Sequence, residues 1–216
     1  MVAIVVGASG TTASDVLTPY DIFASSPRVP HLCRRQHRHT RAARGWTGSG
    51  STYTFADVDA DSALKPGVVV VPAVNQPTGV TEAPLRRWVA RQHDGGAKVL
   101  GVCAGSLVLA ATGRLDGLDA TSHWSRIGAL EASRPAVRWM RGRRYVQDGS
   151  VTTTAVVTSG VPAALHLVTQ LAAPVEGQRV ANLHYRDHDQ EVETVRGEEQ
   201  PGAAHPVNAR TPAVAA

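Results

Sequence analysis

Cysteine is scarce here: 216 residues hold two, Cys33 and Cys103, far apart and with no even-numbered framework around them. A disulfide scaffold is therefore not expected, and a reducing cytoplasm is the expected compartment. Aromatic residues are thin as well, at 5% and dispersed, too sparse to stack the bases of single-stranded nucleic acid. No apolar run approaches the roughly 18 residues a membrane-spanning helix needs. The opening MVAIVVGASG lacks the basic stretch and long apolar core of a signal peptide and reads as a first strand. GSGSTYTF (48–55) has glycine and serine but no lysine and no P-loop spacing, so it is no phosphate cradle. Acid is missing from one segment, RVPHLCRRQHRHTRAAR, which carries Arg28, Arg34, Arg35, Arg38, Arg41 and Arg44. The formal net charge of +4 falls to −2 once those six are set aside. The basic character is thus local, and nucleic acid is not an expected partner. His31, His37 and His39 fall in the same segment without a cysteine or carboxylate among them, so no metal or other cofactor is expected.

What is present suits one globular domain with a full core: 43% apolar and 19% charged residues. Short β-branched runs alternate with helical ones. VAIVV (2–6), GVVVVPA (67–73) and KVLGVC (98–103) read as buried strands. SDVLTPYDIFASS, with Val16, Leu17, Tyr20 and Phe23 at helical spacing, reads as a helix. So do APLRRWVARQHDGG, closed by Gly95 and Gly96, and GSLVLAATG, with Gly113 past its end. A further helix falls near Arg126–Ser133, a hairpin turns at Asp148-Gly149, and VPAALHLVTQLA reads as a final helix. Continuous apolar strands separated by helices predict a mostly parallel sheet covered on both faces, a three-layer α/β/α domain.

Two stretches fit this plan poorly. Residues 28–50 should hold the second strand, yet PHLC is the best run on offer. The segment reads either as a solvated basic loop or as the Arg/His/Gly-rich product of a GC-rich gene read out of frame. The domain is expected to end at residue 186. The polar, then Pro/Ala-rich stretch 187–216 is expected to be disordered.

GVCAGS carries the chemistry. A strand that runs into a helix through a tight turn holds the turn residue in a strained conformation above the sheet, and small neighbours (Gly101, Ala104, Gly105) let the chain turn. A thiol at that place is expected to feel the positive end of the helix and ionise more readily. The N–H groups of the first helical turn, those of Ala104 and Gly105 included, are expected to face a substrate. Trp88 and Trp139 read as core or pocket-lining aromatics, and Trp124 is placed nearest the ligand.

GVCAGS, followed by DATSHW about twenty residues on and by YVQDGSVTTTAVVTSG, resembles the ThiJ/PfpI superfamily of class I glutamine amidotransferase-like domains, over Val2 to about Tyr185 with 28–50 outside. LDGLDATSHW and GRRYVQDG are most similar to the subgroup of isonitrile hydratases and the ligand domains of AraC-type regulators. The resemblance implies a flavodoxin-like architecture, a reactive Cys103, and Asp15 hydrogen-bonded to the thiol. It also implies His123 near the thiol as general base or pocket wall, a contact role for Asp21, and a homodimer. Ala104 stands where hydratases carry threonine, and PAVNQP replaces the usual glycine pair. Ala73 and Val74 are then left to donate N–H groups, with Asn75 adding its amide. The expected function is a cysteine-dependent hydratase, hydrolase or lyase acting on a small electrophile. The alternatives are a ligand-sensing domain without a DNA-binding part and an oxidation-sensing protein.

Overall fold

The computed structural model describes residues 1–35 and 53–197; the segment 36–52, with His37 and His39, and residues 198–216 lie outside the described residues. Strands β1 (Val2–Val6) and β2 (His31–Arg35) flank helix α1 (Ala13–Ala24). After α2 (Phe55–Ala60), β3 (Val68–Val71), α3 (Ala83–Asp94), β4 (Lys98–Gly101) and α4 (Ser106–Ala111) alternate. Then come β5 (Asp119–Ala120), α5 (Trp124–Ser133), β6 (Arg138–Trp139), β7 (Tyr145–Asp148), β8 (Val151–Thr154), α6 (Gly160–Leu171) and α7 (Pro174–Gly197).

Six strands form one sheet in the order β2-β1-β3-β4-β8-β7, and β5 pairs with β6 in a small sheet of its own. Every pairing in the large sheet is parallel except β7 with β8. Those two make the hairpin expected at Asp148-Gly149, where Gly149 takes φ 57°.

Side chains alternate along each strand, and that alternation builds the two outer layers. Ala3, Val5, Val69, Val71 and Val99 pack with Trp88, Leu109 and Leu130 of α3, α4 and α5. Val2, Ile4, Val68, Val70 and Leu100 pack instead with Phe23 of α1 and with Ala164 and Leu167 of α6. Trp88 is fully buried and stacks on Phe55 at 4.6 Å, and Trp139 is also in this core. The three-layer α/β/α sandwich with a mostly parallel sheet is therefore the architecture of the chain.

The second strand forms over HLCRR, with Ile4 opposite Cys33. It lies at the sheet edge, where backbone pairing with a single neighbour suffices. That is why a run containing two arginines can occupy it. VPAALHLVTQLA is not the final helix: α7 follows it and continues past Asp187 to Gly197. Its residues are largely polar, so no apolar stripe announced it. The chain divides into a compact unit over Met1–Ala181 and a second unit from Asn182 on. No described helix is long and apolar enough to cross a membrane.

Candidate active site at the Cys103 turn

The β-structure of β4 carries on one residue further, because Val102 N–H donates to Val71 C=O at 2.9 Å. Cys103 then takes φ 54° as the one described non-glycine residue with positive φ. A tight turn over Cys103–Gly105 leads straight into α4. Positive φ costs a non-glycine residue on the order of 1–3 kcal/mol and persists only where surrounding contacts impose it. Those contacts are visible. A Cβ on Gly105 would sit 2.0 Å from the Val71 carbonyl oxygen, and one on Gly101 would sit 2.8 Å from Leu109 Cδ1. Thr154 Oγ1 accepts the Cys103 N–H at 3.0 Å, and the Ser106 hydroxyl donates to Cys103 C=O at 3.0 Å.

The first-turn N–H groups are mostly committed. Cys103 donates to Thr154, and Gly105 donates to Val102 C=O at 2.7 Å. Gly105 therefore shapes the turn and offers no N–H to a substrate. The Ala104 N–H is the one that favours the thiolate, pulling the thiol's pKa down.

Electrostatically the thiol differs from expectation. Cys103 is 8% exposed, and burial first, then the Asp15 charge, push its pKa up to about 11 against the opposing pull of the Ala104 N–H. The macrodipole of a six-residue helix is short, so desolvation and a neighbouring negative charge outweigh it.

Asp15 lies in the first turn of α1, fully buried, with Oδ2 accepting the Ala73 N–H at 3.0 Å. Burial raises its pKa to about 6, and the Ala73 bond partly offsets that. Oδ1 has no partner among the described residues, so the expected thiol hydrogen bond is replaced by the bond to Ala73. Asp15 reaches the sulfur through its charge. Pro19, one helical turn on, carries no N–H to close the helical bond back to Asp15 C=O.

Beside the elbow starts the loop after β3, where a Cβ on Gly105 would also stand 3.1 Å from the Pro72 carbonyl carbon. Ala73 N–H is taken by Asp15, so it is not the free donor expected of it. Ala73 C=O accepts Thr12 N–H at 2.9 Å, Asn75 N–H donates to Gly10 C=O at 3.0 Å, and Asn75 Nδ2 donates to Ser9 C=O at 2.7 Å. The Val74 N–H takes part in neither backbone bond flanking its bridge to Thr11.

His123 caps α5, its Nδ1 2.8 Å from Ser125 Oγ, and its ring lies 5.4 Å from that of Trp124, which is 72% exposed. Among the described residues no hydrogen bond joins His123 to Cys103. The link is indirect. Ser122, next to His123, is hydrogen-bonded to Ser106 Oγ at 2.7 Å, and Thr121 N–H donates to Thr153 Oγ1 at 2.7 Å. Ser106, Ser122, Thr153 and Thr154, all buried, are the supporting hydroxyls that pattern reasoning passed over. A run of three threonines ending a buried strand was the available signal. Among the described residues no group of histidine, cysteine and carboxylate side chains could hold a metal ion.

Comparison with known proteins places this geometry. The chain is 29% identical over 179 residues to the isonitrile hydratase of Pseudomonas putida, covering 77% of this chain and 70% of that protein. It is 31% identical over 121 residues to the HTH-type transcriptional regulator CdhR of Pseudomonas aeruginosa, covering 54% of this chain but only 36% of the regulator. The solved structure of Drosophila melanogaster DJ-1beta superposes with a TM-score of 0.71 at 21% identity, covering 84% of this chain and 95% of that one, a likeness of fold. The sequence pattern of the DJ-1/PfpI family matches residues 1–170. The chain belongs to the DJ-1/PfpI family.

Proposed function

We propose that the Cys103 turn acts on a small electrophile, an isonitrile or a reactive aldehyde such as methylglyoxal, with Cys103 as nucleophile and Asp15 as proton carrier. The observation that carries this reading is the strained Cys103 backbone beside a buried carboxyl whose pKa lies near neutrality. Above pH 6 Asp15 is ionised and the thiol keeps its proton, so acid and base are separated before substrate arrives. With an isonitrile, sulfur adds to the terminal carbon while the thiol proton passes by way of Asp15 to that same carbon, giving a thioimidate. Water then adds to the carbon, Asp15 passing one of its protons to the imine nitrogen; as the C–S bond breaks and the carbonyl forms, Asp15 passes the second to sulfur, and the N-substituted formamide leaves with the thiol restored. The similarity to an isonitrile hydratase supports this substrate class.

A second reading is a ligand-sensing domain. It is favoured by the thiol's raised pKa, which leaves the resting sulfur a poor nucleophile, and by the similarity to a transcriptional regulator. The same raised pKa weighs against an oxidation sensor, which needs thiolate. A cytoplasmic homodimer with no nucleic-acid or membrane partner belongs to either reading and is checked by light scattering and fractionation. His123 and Trp124 are proposed as mouth residues.

The test is turnover of cyclohexyl isocyanide and methylglyoxal by the wild-type protein and by Cys103→Ser. Turnover lost in a folded Cys103→Ser variant supports the nucleophile. Turnover retained there overturns it, and ligand binding without turnover in the wild type favours sensing.

A further inference from the structure

Glu82 is fully buried at the start of α3, yet it makes no cap for its own helix, and no ion pair involves it among the described residues. A buried carboxyl without a cation is costly, so its contacts must require it. They lie at the turn after β1, the strand next to β3. Glu82 Oε1 accepts the Ser9 N–H at 2.6 Å. A Cβ on Gly7 would stand 2.9 Å from that oxygen and 2.6 Å from Val74 Cγ1, so glycine is what lets the carboxyl lie against the backbone.

Ser9 in turn grips the loop after β3: its C=O accepts Asn75 Nδ2 at 2.7 Å, and its hydroxyl accepts Gln76 N–H at 3.2 Å. Gly10, at φ +105°, makes room for the Asn75 amide, since a Cβ there would stand 2.6 Å from Nδ2. The GASG turn is thus clasped by Glu82 on one side and clasps Asn75 on the other. Glu82 Oε2 has no partner among the described residues, so the Ser9 bond is the one specific use of this carboxyl.

We propose that Glu82 is a positioning residue: through Ser9 it fixes the Asn75–Gln76 stretch of the loop that starts beside the Cys103 turn and holds Asp15 by the Ala73 N–H. This rests on the proposed roles of Cys103 and Asp15, because the loop matters to turnover only if chemistry occurs there. Displacing a reacting group that the loop holds by about 1 Å costs up to about 100-fold.

The experiment compares Glu82→Ala, Glu82→Gln, Asn75→Ala and the Glu82→Ala/Asn75→Ala pair. Steady-state kinetics on cyclohexyl isocyanide and methylglyoxal is run alongside amide hydrogen exchange of Ser9 and Gln76. The proposal expects Glu82→Ala to speed exchange at both amides and to lower kcat about tenfold or more with a smaller change in KM. Glu82→Gln, whose amide oxygen still accepts from Ser9, restores both. The double variant is no slower than Asn75→Ala alone, since both act through one contact chain. Unchanged exchange in a folded Glu82→Ala variant, no rescue by Glu82→Gln, or multiplicative losses in the double variant each overturn it. Should Glu82→Ala not fold, Ser9→Pro, which removes the donated N–H, is held to the same exchange at Gln76 and the same kinetic loss. If the wild type turns over neither substrate, the catalytic reading of Cys103 fails by that result alone, while the exchange data still decide whether Glu82 fixes the loop.

Discussion

At the scale of single residues, Cys103 and Asp15 are each buried where their charged form is disfavoured, and the Asp15 charge makes the thiol's ionisation harder still. The Asp15 charge is one of the two causes of the thiol's raised pKa. A carboxyl lifted from 3.8 to about 6 binds its proton more tightly in the folded protein than in the unfolded chain. Stability therefore falls as pH rises from about 4 to about 6, and it stays lower above that. A shift of about two units corresponds to on the order of 3 kcal/mol. Asp15→Asn keeps an acceptor for the Ala73 N–H without the charge. It is expected to raise Tm at pH 7, with the gain shrinking toward pH 4, while abolishing turnover. A loss of stability at pH 7 in calorimetry would contradict this. In the wild type, kcat/KM should rise with pH through about 6 as Asp15 becomes the base. A profile flat from pH 5 to 8 would exclude that role.

At the scale of elements, the turn between β4 and α4 is held by backbone proximity rather than by side-chain bulk. Gly105→Ala places a methyl 2.0 Å from the Val71 carbonyl oxygen, and neither backbone can yield cheaply. The expected cost is about 3 kcal/mol or more, read as a drop in the denaturation midpoint. A loss below about 0.5 kcal/mol, the scale of a neutral surface change, would refute the packing. The strands and helices around this turn were legible in the sequence because alternation and helical spacing report burial directly. So was the elbow, since small residues around a cysteine between an apolar run and a helix leave few other geometries. What stayed hidden depended on neighbours distant in the chain. HLCRR becomes a strand because β1 pairs with it at an edge. Ala73 loses its free N–H because Asp15 arrives from 58 residues away. The thiol's pKa is set by burial and by that same carboxyl, which local pattern does not encode. Glu82, at a helix start, looks like a cap until its partner Ser9, 73 residues earlier, is in view.

At the scale of the whole molecule, the same sheet supports two unlike electrostatic sites. Glu176, at the start of α7, accepts from Ser26 Oγ at 2.7 Å and from both sides of the Arg179 guanidinium, which also bonds Ser25 C=O. The hydrogen bonds from Arg179 and then Ser26 hold its pKa down to about 2. That contribution to stability is present above about 4.5 and disappears as pH falls through about 2. Glu176→Gln should therefore lower Tm at pH 7 and leave it unchanged near pH 2; equal losses at both would show that the charge is not what matters. Asp15 has the opposite sign, costing stability where Glu176 supplies it, as the proposed proton carrier would. The most direct test of the account is the pH dependence of Cys103 alkylation by iodoacetamide in the wild type and in Asp15→Asn. The account predicts a thiol that titrates well above its ordinary value, near 11, and that titrates lower once the Asp15 charge is removed. A thiol titrating below roughly 8.5 and indifferent to Asp15→Asn would contradict it.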